Sequence, residues 1–86
     1  MNIELLKAVA NEKLATLALE RIPENKKRIL TMRLDAIISN YSTTFLLDQL
    51  YQYLRMLHAL RDSNIINEEQ FKRLMIDYET IKAIFD

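Results

Sequence analysis

Few side chains in this chain could do chemistry, and their spacing limits what that chemistry would be. His58 is the only histidine. Asp62 follows one helical turn later with Ser63 beside it, so a metal pair or a small nucleophile cluster can be drawn. One helix supplies only two of the roughly three or more protein ligands that zinc needs, and without cysteine or a second histidine the set cannot be completed. His58 therefore reads as a boundary histidine that hydrogen-bonds locally. Glu68 and Glu69 suggest an acid/base pair, but adjacent helical positions point in different directions. Each also has a basic residue one turn on, Lys72 and Arg73, as expected of a solvated helix N-terminus. No nucleophile motif, glycine-rich loop or metal-ligand spacing is present. The expectation is a protein that is not an enzyme, with no catalytic residue, cofactor or metal.

Binding chemistry offers two candidate sets. Lys26, Lys27, Arg28 and Arg33 form the only basic cluster, and they could contact phosphates near a helix start. Glu24 and Asp35 dilute that field, and formal net charge is zero. Nucleic acid is thus the secondary reading, because domains that bind it usually carry a clear positive excess. The other set is Tyr41, Phe45, Tyr51, Tyr53, Met56, Leu60 and Arg61. Tyrosine and methionine are favoured in interface cores, although the same residues would serve equally to fill a bundle. Arg61 falls on an apolar arc, where it must extend to water or find a carboxylate. Failing both within the chain, a partner would supply the match.

The elements that position these residues follow from composition and pattern. The chain has 86 residues, enough for one domain and one core. Half are hydrophobic and 28% charged, a globular balance far from that of disordered chains. Cysteine is absent, so apolar packing must carry the stability, which suits a reducing cytoplasm. Glu4, Lys7, Glu12 and Lys13 interrupt any apolar leader, and no run reaches the ~20 apolar residues of a membrane span. Residues 1–40 hold seven basic and five acidic side chains, and residues 41–86 the reverse, a tilt too slight to steer polyanions. There is no glycine and one proline, whereas average usage would give about six glycines. Long helices joined by short turns are the natural result.

Four helices are legible. The first, Ile3 to about Arg21, places Ile3, Leu6, Ala10, Leu14 and Leu17 on one face. Pro23 breaks it and opens a second helix, running to about Asn40, with Leu30, Leu34, Ile37 and Ile38 inward. Ser39 to Thr43 collects residues that compete with the helical backbone, so a turn is expected there, with a bent continuous helix as the competing reading. The third helix, about Thr43 to Asp62, is apolar except for a stripe of Asp48, Gln49, Gln52, Arg55 and Asp62. It belongs at the centre of a bundle or at a subunit interface. Asn64 stands where a left-handed helix stop is wanted, and Asn67 with Gln70 resembles a capping box. A fourth helix carries Phe71, Leu74, Met75, Tyr78, Ile81 and Phe85 on one face.

Two stretches, NIELLKAVANEKLATLALERIPENKKR and LRDSNIINEEQFKRLMIDYE, resemble small accessory proteins of T-even-type bacteriophages, nearest the cytoplasmic co-antiholin of lysis inhibition. That resemblance implies a cytoplasmic helical protein that binds the cytosolic part of a holin, with no catalytic residues to carry over. The second stretch is also similar to a helical hairpin common at bacterial protein C-termini, with Asn64 where that pattern has glycine.

The expectation for residues 1–86 is a single all-α domain, a compact bundle of about four helices acting as a regulatory protein by binding another protein, of host or phage, a holin cytosolic segment being one candidate. A homo-oligomer through the third helix, a nucleic-acid-associated regulator and a structural assembly subunit are the alternatives.

Overall fold

A computed structural model describes all residues, 1–86, and is an all-α bundle without strands. Its helices are α1 (Ile3–Ala18), α2 (Glu24–Ser39), α3 (Thr43–Asp62), α4 (Glu68–Leu74) and α5 (Tyr78–Phe85). Three long helices and a divided C-terminal pair make a compact bundle of about four helices. None of the helices is long and apolar enough to cross a membrane.

Some boundaries have a local chemical cause and others are set by side chains far along the sequence. The Asn2 side chain accepts from the Leu5 N–H at 3.0 Å and caps α1, while the Asn2 N–H donates to the Ile84 carbonyl at 2.6 Å and ties the two ends of the chain together. Pro23 is the N-cap of α2, in extended backbone (φ −50°, ψ 134°), one residue earlier in the cap than its expected place as first helical residue. The end of α2 is closed from a distance. Lys7 Nζ donates to the carbonyls of Ile37 (2.6 Å), Ile38 (2.8 Å) and Asn40. A cation placed on C-terminal carbonyls satisfies orphan acceptors and complements the helix dipole together.

Helix α3 ends in a left-handed stop at Asn64 (φ 59°). The Asn64 N–H donates to the Arg61 carbonyl and the Ile65 N–H to that of Leu60, the paired bonds of a Schellman motif. Asn67 then caps α4 with a full capping box: its side chain accepts from the Gln70 N–H at 2.8 Å, and Gln70 Oε1 accepts from the Asn67 N–H at 3.0 Å.

The expected continuous fourth helix is broken. Met75 leaves the helical region (φ −73°, ψ 147°), and Asp77 caps α5 by accepting from the Thr80 N–H at 2.8 Å. Two carbonyls at the end of α4 are satisfied by other elements: Tyr53 Oη donates to that of Leu74 at 2.6 Å and Lys13 Nζ to that of Arg73 at 3.1 Å. With its terminal acceptors filled from α3 and α1, the chain can turn, and Ile76 is buried in the process. The face expected of one long helix changes accordingly. Phe71, Leu74 and Ile84 are buried, whereas Tyr78 and Phe85 are exposed.

The core is one cluster of 18 buried apolar residues. Helix α1 packs on α2 and α2 on α3, with α4 reaching both α1 and α3 and α5 lying against α1. α3 contributes Leu46, Leu50, Tyr53, Leu57 and Leu60 to the core, the largest share of any helix. No buried side-chain nitrogen or oxygen lacks a hydrogen-bond partner.

Candidate protein-binding groove

Helix α3 is apolar on more sides than the bundle covers. The part left open is the strip Leu47, Tyr51 and Leu54 around the buried Leu50, spaced by three and four residues and so aligned on one helical face. Together with Ile81 and Phe85 of α5 it lines a shallow groove of about 220 Å³ whose six lining residues are all hydrophobic. The Leu50 side chain forms its floor at 3% exposure, while Tyr51 (59%), Phe85 (45%) and Leu47 (38%) form its open walls. Burying such walls gains about 25 cal/mol per Å² of apolar surface, so the groove favours an apolar occupant over a polar one.

The sequence candidates divide on inspection. Tyr51 lies in the groove, and Phe45 is exposed on the same helix. Tyr41 is exposed at the α2–α3 corner, where its ring covers Lys7 Nζ at 4.4 Å, a cation–π contact that shields the lysine capping α2. Tyr53 and Leu60 are not surface residues. Tyr53 is fully buried and Leu60 nearly so, because their side of α3 is the one covered by α2 and α4. Burial raises the Tyr53 phenol well above its ordinary range, and its hydroxyl is committed to the Leu74 carbonyl. Met56 is half-buried against the core.

Arg61 finds its partners within the chain. Its guanidinium stacks on the Phe71 ring at 4.1 Å, and Nε lies 3.5 Å from Asp62 and 3.8 Å from Glu68. No partner chain is needed to match it. His58 is exposed, within 3.2 Å of Arg61 Nη2 through Nδ1 and edge-on to Phe71 at 5.1 Å between centroids. No group of three or more His, Cys, Asp or Glu side chains is placed to hold a metal ion.

The basic cluster is partly spent on the fold. Lys27 Nζ donates to the carbonyls of Ala18 (3.1 Å) and Glu20 (3.0 Å), closing the end of α1. Arg33 Nη1 donates to the buried Gln49 Oε1 at 3.1 Å. Lys26 and Arg28 are left for external contacts, and two charges make a small electrostatic footprint for nucleic acid.

A second depression, about 240 Å³, lies between α1 and the α4–α5 turn and includes Glu12, Lys13, Asp77 and Thr80. Its polar groups serve the fold: Lys13 holds the Arg73 carbonyl, and the Thr80 backbone N–H holds the Asp77 carboxyl below its ordinary range. Nearby, Glu20 accepts two hydrogen bonds from Arg73, Nε at 2.6 Å and Nη2 at 2.8 Å. That bidentate contact lowers the Glu20 pKa against the opposing effect of burial.

The groove residues absent from the sequence candidates are Leu47, Leu50, Leu54, Ile81 and Phe85. The helical spacing of the first three is visible in the sequence. Which side of a nearly all-apolar helix stays open depends on where α2, α4 and α5 pack. Comparison with known proteins finds no matching family, no curated relative and no similar solved structure.

Proposed function

We propose that this protein is a non-enzymatic cytoplasmic regulator that binds an apolar helical segment of another protein in the α3–α5 groove. The observation that carries this reading is the groove itself, six apolar residues with Tyr51, Leu47 and Phe85 open to solvent on a core whose buried polar atoms are all partnered. Among partners, the cytosolic segment of a phage holin fits the resemblance of residues 2–28 and 60–79 to the co-antiholin family. Binding there would withhold the holin from assembly and so delay lysis.

The test is capture from separated cytosolic and membrane fractions of a phage-infected lysate, using wild type and the exposed-wall variants Leu47→Glu and Tyr51→Glu. Recovery of a holin at low and high salt, lost with both variants, is the expected result. Recovery unaffected by either variant, or of nucleic acid alone at low salt, would exclude the groove as the binding surface.

A further inference from the structure

We infer that in the free protein the groove is occupied by a second copy of the chain, α3 lying antiparallel to α3 about a two-fold axis near Tyr51 and Gln52. The inference rests on the groove being the binding surface and adds how that surface is kept closed.

Charge complementarity carries the argument. Asp48 and Arg55 are both exposed beside the groove, and neither takes part in any ion pair or side-chain hydrogen bond of the chain, unlike Arg61 and Arg73. They are seven residues apart, so they share one flank of α3, about 10.5 Å from each other along the axis. In an antiparallel pair related by a two-fold, the same flank of each helix faces its counterpart. A register that sets Asp48 level with Arg55 of the partner subunit also sets Arg55 level with the partner's Asp48. Two opposite-charge contacts thus form from one pair of residues. In that register Leu47 and Leu54 of one copy alternate along the axis with those of the other, and the two Tyr51 rings meet at the two-fold axis, about 1.5 Å apart in level. On the opposite flank, Ile81 and Phe85 of α5 close over the seam. A partner helix and a second copy would compete for the same six residues, which makes self-association a brake on partner binding.

Sedimentation over a wide concentration range tests the register, because single charge reversals have opposite outcomes alone and mixed. Wild type is expected at twice the 10.2 kDa chain mass when concentrated. D48R alone faces Arg against Arg, R55D alone faces Asp against Asp, and each should self-associate about tenfold or more weakly. An equimolar mixture of D48R and R55D pairs opposite charges at both contacts and should recover the dimer, as should the D48R/R55D double variant by itself. Unchanged far-UV circular dichroism confirms that these surface changes leave the fold intact. Wild type monomeric at every concentration, or a dimer indifferent to D48R and R55D, overturns the self-pairing while leaving partner binding in the groove to be judged separately. That judgement comes from titrating monomeric D48R with a holin cytosolic segment: binding lost on adding Tyr51→Glu keeps the groove reading, and no binding removes it whether or not the dimer exists.

Discussion

Replacing Tyr53 with phenylalanine deletes one oxygen and leaves the Leu74 carbonyl, the last of α4, without the 2.6 Å bond it accepts. The site is fully buried, so water cannot take over the bond without opening the core. An orphaned buried acceptor costs about 1–3 kcal/mol. In a domain of this size each kcal/mol lowers Tm by roughly 4–8 °C. Chemical denaturation and thermal melts of Tyr53→Phe should therefore show a clear loss, whereas Tyr51→Phe, altering an exposed ring, should stay within about 0.5 kcal/mol. The alkaline limb gives an independent reading. Burial raises the native phenol above its ordinary value of 10.0, so between pH 10 and the native value the unfolded chain has lost a proton that the folded chain keeps. Wild-type stability is then fully present below pH 10 and declines as pH rises above it. Tyr53→Phe should lack that part of the decline. A Tyr53→Phe protein as stable as wild type, with the same alkaline limb, would refute the claim that α3 anchors the break between α4 and α5.

Two further perturbations probe the long-range caps. Lys7→Met keeps the packed stem but removes the charge that closes α2; it should cost about 1.5–3 kcal/mol, the range for hydrogen bonds to a charged group, with faster amide exchange in the last turn of α2. Glu20→Gln should flatten the acid limb of stability: Arg73 lowers the Glu20 pKa from 4.5, so the wild-type contribution is present above pH 4.5 and lost as pH falls through the lower native value. Denaturation followed from neutral pH to below pH 4.5 reads the difference, and an unchanged slope would show that the Glu20–Arg73 contact does not persist in solution.

What was legible in the sequence had a local cause. Asn64 in the left-handed region and the Asn67–Gln70 capping box act within a few residues, and both appear where their side-chain chemistry places them. The bounds of α3, Thr43 to Asp62, also match, its end through the Asn64 stop; at its start Ser42 makes no side-chain cap bond. The α4–α5 break was hidden because its causes lie far along the chain, Tyr53 and Lys13 reaching carbonyls 21 and 60 residues away. The nearer signal is Asp77 followed by Thr80, a cap masked by the apolar pattern around it. Arg33 is taken up by Gln49, 16 residues on, whereas Lys27 and Arg61 find partners within ten residues, across the turns that follow α1 and α3. Within α3 the apolar excess was readable, but its division into Tyr53 and Leu60 inside and Leu47 and Tyr51 outside was not, because a helix apolar on most sides carries no mark of which side its neighbours cover.

The most direct measurement of the central claim is amide hydrogen exchange of the monomeric D48R protein, whose groove no second copy covers, with and without the captured partner. Binding in the groove predicts new protection concentrated in residues 47–54 of α3 and 81–85 of α5. Protection falling instead on residues 24–33, around Lys26 and Arg28, with the groove unchanged, would contradict it.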